Sequence, residues 1–116
     1  HSNAYDLAKV AQMMLNKGSY NGVQLFSKQT YKEIMPKVIA DYFPNGNTED
    51  MIWGVGVKDL SVEGHPNYHG HGSATCSMLN FDIDNDIIIT MSRLYPGNTY
   101  GDYKQPLFDI IDKYLK

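Results

Sequence analysis

Tyr68-His69-Gly70-His71-Gly72-Ser73-Ala74-Thr75-Cys76-Ser77 is the stretch on which the reading of this chain turns. It places two imidazoles, two glycines and three aliphatic hydroxyls at the mouth of a strand. Such groups are costly to bury without partners and a sheet does not need them, so the stretch reads as a site. Immediately downstream, Thr75 to Ile83 alternates, with Leu79, Phe81 and Ile83 on one side and Met78, Asn80 and Asp82 on the other. Asp84-Asn85-Asp86 is turn chemistry, and Ile87-Ile88-Ile89-Thr90-Met91 returns as a strand apolar on both faces.

Working outward, Met51 to Val57 carries Ile52, Trp53, Val55 and Val57 and reads as a further strand. Pro106 is a favourable first helical position, and Leu107, Ile110, Ile111, Tyr114 and Leu115 fall on one stripe of a final helix. Upstream, Leu7, Ala8, Val10, Ala11, Met14 and Leu15 recur at helical spacing behind an Asn3 cap, and Gly18 supplies a left-handed stop. Asn21-Gly22 marks a tight turn. Ser27 caps a second, short helix with Tyr31, Ile34 and Met35 on its apolar face, ending near Pro36. The order helix, helix, three strands, helix predicts an α+β domain: an antiparallel meander of three strands with the helices on one face.

Composition narrows the function classes. A chain of 116 residues holds one domain, and 42% hydrophobic with 20% charged residues is an ordinary globular balance. No apolar run approaches the ~18 residues that cross a bilayer, so membrane insertion is not expected. A net charge of −3 offers no basic field for nucleic acid. A single cysteine excludes an internal disulfide. The start at His1-Ser2-Asn3-Ala4 is no signal peptide and opens almost inside a helix, which points to a piece of something longer.

Several chemistries compete for the central stretch. His65, His69 and His71 have the spacing of a zinc or copper site on a strand and its preceding turn, with Glu63 the one nearby carboxylate. Against this stand water-exposed loop histidines. Asp82-x-Asp84-Asn85-Asp86 lacks the glycine and terminal glutamate of a calcium loop and reads as a hairpin turn. Cys76 is read as a small buried thiol rather than a nucleophile. Trp53, Tyr5, Tyr20 and Tyr31 fill the core and its rim rather than line a sugar or peptide groove. No cofactor and no metal is called for.

The order of features also resembles a known family. His69 to Ser77, followed by Leu79-Asn80-Phe81-Asp82 and the Asp84 to Ile89 return, is similar to the C-terminal third of the penicillin-recognising serine hydrolases, which include class C β-lactamases, D-alanyl-D-alanine carboxypeptidases and esterases. Ser2 to Lys9, Met13 to Gly22 and Leu25-Phe26-Ser27 resemble the helix, turn and "leucine-serine-proline" segment that precede those strands. Ser92-Arg93-Leu94-Tyr95-Pro96 is similar to the subgroup fused to family 3 glycoside hydrolases. The resemblance implies a partial β-lactamase-like fold over residues 1–116, with the part that carries the nucleophile absent. His71-Gly72-Ser73 would be the third active-site box: His71 to hold a substrate carboxylate or tune proton transfer, and Gly72 to admit substrate. Ser73 and Thr75 would face that substrate, and the Ala74 N–H would form half of an oxyanion hole. Ser73 departs from the family's glycine and puts a side chain where substrate would slide.

No serine in the chain has lysine three residues later, so the family's nucleophile box is missing. Three readings follow. The chain is the C-terminal part of a hydrolase acting through an acyl-enzyme, a non-catalytic binding or interaction module on the same fold, or a histidine metal-binding domain. The resemblance further implies an extracytoplasmic setting, a small-molecule or peptidoglycan-like substrate, and the missing N-terminal part of the same domain as partner. A sheet edge left open beside Ile87–Met91 would favour homo-oligomerisation.

Overall fold

Asn3 sets the first helix. In the computed structural model, which describes residues 2–38, 52–60, 68–95 and 97–114, the Asn3 side-chain carbonyl accepts the Asp6 N–H at 2.9 Å and α1 follows as Ala4–Leu15. The helix ends as the glycine predicts: Lys17 and Gly18 are both left-handed, and the Gly18 N–H closes on the Met13 carbonyl at 2.9 Å. A side chain at Gly18 would run into the Phe26 ring, so the position accepts glycine alone. Asn21 and Gly22, with φ of 49° and 77°, form the turn between β1 (Ser19–Tyr20) and β2 (Val23–Gln24). Ser27 Oγ then accepts the Thr30 N–H at 3.0 Å and caps α2, Lys28–Ile34.

Six antiparallel strands follow in sequence order: β3 (Lys37–Val38), β4 (Ile52–Trp53), β5 (Lys58–Asp59), β6 (Tyr68–Gly72), β7 (Met78–Asp82) and β8 (Ile87–Met91). The antiparallel meander is as expected, but among the described residues it has six strands rather than three: β6 adds to the expected set, β6 to β8 are the continuous part, and two-residue strands extend it on one side. The segment read as a single strand from residue 51 to 57 is a hairpin instead. Gly54 N–H bonds the Val57 carbonyl at 2.7 Å and the chain reverses between Trp53 and Lys58. Met51 itself lies outside the described residues.

The helices do not share one face. Phe81, Leu79, Ile83 and Ile88 pack with Ala11, Met14, Leu15 and Tyr31 of α1 and α2. Tyr68, Met78, Ile87, Ile89 and Met91 pack with Leu107 and Phe108 of α3, Tyr100–Tyr114, on the opposite face. The physical reason lies in β8, where Ile87, Ile89 and Met91 need apolar cover on one side and Ile88 needs it on the other. Phe81 and Phe108, both fully buried, anchor the two layers. Each contributes roughly 1.5–3 kcal/mol by burial.

Helix α3 departs from the sequence reading in two ways. It begins at Tyr100, not Pro106, which lies within it on an exposed turn. Its buried residue is Phe108, whose ring meets Tyr68 edge-on at 5.3 Å, while Ile110 and Tyr114 of the expected stripe are exposed. Anchoring of the added N-terminal turns explains the proline's tolerance: Tyr100 stacks on the Arg93 guanidinium at 4.8 Å and its hydroxyl reaches Met78 Sδ at 3.7 Å. Leu115 lies outside the described residues.

Asp82 confirms the turn reading over calcium. Its buried carboxylate accepts the Asp84 N–H at 2.9 Å, the Asn85 N–H at 3.1 Å and the Asn85 amide at 2.7 Å, which ties the β7–β8 turn together.

Candidate functional site

The β6–β7 hairpin carries the site. Register pairs His69 with Phe81 and His71 with Leu79, so both histidines fall on the α1 side of β6, while Gly70 and Gly72 fall toward α3. His69 stacks on Phe81 at 5.8 Å, and His71 meets the Trp53 ring edge-on at 5.4 Å. The two imidazoles thus engage different aromatic partners. Among the described residues no three His, Cys, Asp or Glu side chains converge to hold a metal, and His65 and Glu63 lie outside the described residues.

Two openings meet at the end of β6. One, of about 300 Å³, is lined on the α3 side by Trp53, Lys58, Cys76, Asn80, Tyr100 and Lys104. The other, of about 250 Å³, is lined on the α1 side by Leu7, Gly56 and Leu79. His71, Gly72, Ser73, Ser77 and Met78 line both, and Gly72 explains why they stay open. A methyl group at Gly72 would meet only the Ser77 carbonyl, at 3.7 Å. At Gly70 the same methyl would drive into the Leu79 carbonyl and Asn80, with Asn80 Cα at 2.8 Å. Gly70 therefore serves strand packing, and Gly72 leaves space in the cleft.

The strand read from Thr75 begins only at Met78. Ser73, Ala74, Thr75 and Cys76 form the hairpin turn, closed by Ser73 N–H to the Ser77 carbonyl and Cys76 N–H to the Ser73 carbonyl, both 2.8 Å. Cys76 has φ 61° and occupies the left-handed bulge position that glycine usually fills. It is half-exposed and lines the cleft, so the expected buried strand thiol is corrected to a turn residue. Ala74 is exposed, and its N–H is not one of the two donors that close the turn.

The structure brings His71, Gly72 and Ser73 to the cleft, with Ala74 and Thr75 following on the turn above it. It adds residues the motif alone does not indicate. Tyr100 and Lys104 line the α3 side, and their four-residue spacing on α3 was the available signal, hidden because that segment reads as a loop. Burial, and next the nearby Cys76 side chain, push the Tyr100 hydroxyl above its ordinary pKa. Trp53, read as core or rim, stands at the cleft rim between His71 and Lys58.

Comparison with known proteins adds one relative. The chain is 29% identical over 110 aligned positions to a protein of Escherichia coli O157:H7 named "Putative D-alanyl-D-alanine carboxypeptidase", covering 87% of this chain and 23% of that protein. The chain thus spans less than a quarter of the relative's length. No family model matches the chain. The likeness supports a relationship to the penicillin-recognising hydrolases at that distance, and it is drawn across both the helical half and the hairpin. Among the described residues no helix is long and apolar enough to cross a membrane.

Proposed function

We propose that this chain is the C-terminal part of a serine hydrolase that acts on a β-lactam, a D-alanyl peptide or an ester through an acyl-enzyme. In this reading the chain supplies one wall of the catalytic cleft, and the nucleophile comes from a Ser-x-x-Lys box elsewhere in the parent polypeptide. His71 holds the substrate's carboxylate or tunes proton transfer, Gly72 admits the acyl chain against the strand, and Ser73 and Thr75 contact it. The Ala74 N–H contributes to the oxyanion hole, where a donor facing developing charge is worth several kcal/mol, about 3. The family setting favours an extracytoplasmic location.

The observation that supports this best is the contrast at β6. Of the two glycines in His69-Gly70-His71-Gly72, only the second faces open space, and it does so at the cleft beside His71. Exposing the parent polypeptide to a fluorescent penicillin and to an activated ester tests the proposal. Covalent labelling is expected on a serine outside this chain, and a His71→Ala variant should label at least tenfold more slowly. A parent without Ser-x-x-Lys, or one that labels on no serine, refutes catalysis.

Ser73 favours a second reading, a binding module on the same fold. It adds a side chain at the position where the resembled family carries glycine. Under that reading the parent binds D-alanyl peptides and hydrolyses neither ester nor lactam.

A further inference from the structure

The tip of the β6–β7 hairpin carries a chain of hydroxyls. Ser73 Oγ lies 2.8 Å from Thr75 Oγ1, and Thr75 Oγ1 lies 3.3 Å from Ser77 Oγ. Ser77 Oγ in turn accepts the Arg93 N–H at 2.8 Å and reaches the Arg93 carbonyl at 3.2 Å. Each hydroxyl has one proton to give. The Arg93 carbonyl can only accept, so its contact uses the Ser77 proton. Ser77 must then accept from Thr75, and Thr75 must accept from Ser73. No other assignment forms every bond in the chain.

We infer that this relay fixes the Ser73 oxygen as an acceptor at the cleft, and that it selects acyl substrates bearing an amide N–H over the corresponding esters. The inference rests on the hydrolase reading and names the substrate class for that same cleft. Ser73 is exposed and lines both openings, so its remaining lone pairs are accessible from the cleft. An amide N–H placed there makes a hydrogen bond. An ester oxygen or a carboxylate placed there meets lone pair against lone pair. Ser73 is thus a specificity residue, and Thr75 and Ser77 are positioning residues that act through it. Thr75 and Ser77 are half-buried and Ser73 is exposed, so the direction is set from the Ser77 end of the run. The left-handed Cys76 tightens the turn that brings the three hydroxyls into line.

The test uses the parent polypeptide, labelled for NMR in residues 1–116, with N-acetyl-D-alanyl-D-alanine as probe. Two ester analogues replace each of its amide N–H groups by oxygen in turn. Shifts of the backbone signals of residues 71–77 report binding. One ester should bind about three- to tenfold more weakly than the peptide, the range of a single neutral hydrogen bond. Ser73→Ala should remove that difference. Ser77→Ala, which frees Thr75 and Ser73 to reverse their protons, should raise ester binding toward that of the peptide. If both esters bind as the peptide does, or the preference survives in Ser73→Ala, the inference fails and the hydrolase reading stands. If no probe moves residues 71–77, the hydrolase reading fails and takes the inference with it.

Discussion

Adding one methyl group at each glycine of β6 separates what the strand needs from what the cleft needs. In Gly70→Ala the new carbon collides with the Leu79 carbonyl and Asn80, and β7 cannot retreat because it is paired on both sides. Overpacking of this kind costs about 1–3 kcal/mol, set against a gain of roughly 0.4–1 from the stiffer unfolded chain. A net loss of about 1.3 kcal/mol is expected, which for this length lowers Tm by roughly 5 °C. In Gly72→Ala the nearest atom is the Ser77 carbonyl at 3.7 Å, an ordinary contact. Stability should hold or rise, by up to about 1 kcal/mol and some 4 °C. That same methyl stands in the cleft, so binding of N-acetyl-D-alanyl-D-alanine should weaken at least tenfold. Thermal unfolding and NMR titration of the two variants read both effects. A Gly72→Ala protein as unstable as Gly70→Ala would show that both glycines serve packing. Unchanged peptide binding in a stable Gly72→Ala would refute the role of Gly72 in substrate approach.

Other consequences are as direct. Among the described residues the buried Tyr31 OH finds no hydrogen-bond partner, so Tyr31→Phe should raise stability by about 1 kcal/mol, seen as a higher denaturant midpoint; a lower midpoint would reveal a partner beyond them. Cys76→Gly should stabilise by roughly 1 kcal/mol by relieving the left-handed conformation at φ 61°, again by midpoint. Burial first, and then the Asp112 carboxylate that accepts its proton at 3.2 Å, push the Tyr68 hydroxyl up to about 12. Its folded pKa exceeds the unfolded value, so its contribution is complete below pH 10 and is lost as pH rises from there toward 12. Denaturant midpoints at pH 8 and 11 should therefore diverge, and less so in Tyr68→Phe. Among the described residues strand β8 is a sheet edge, and its four apolar residues and one threonine include no charge or proline. The chain should accordingly self-associate as its concentration rises, and Thr90→Lys, which leaves the apolar contacts of Ile87, Ile88, Ile89 and Met91 in place, should return it to monomer. Light scattering that finds the unmodified chain monomeric throughout would discount that edge.

Much of the local structure was legible because it depends on neighbours in the chain. Asn3, Ser27 and Asp82 each satisfy backbone groups two or three residues away, and Asn21-Gly22 takes two left-handed positions, so caps and turns could be placed from letters alone. The limits of α3 were not legible, because its first turns are held by Arg93 and Met78, contacts that no local pattern displays. For the same reason Tyr100 and Lys104 stayed hidden as cleft residues.

What the sequence determined by itself was the α+β order, the meander and the His71-Gly72-Ser73 stretch as the place to look, since alternation, capping and turn chemistry are short-range. Tertiary structure alone decided that helices cover both faces, that Gly70 packs while Gly72 stays open, and that Ser73, Thr75 and Ser77 share one run of protons. Those outcomes depend on which atoms β7 and the Arg93 backbone bring against the hairpin, and proximity of that kind exists only once the strands are paired.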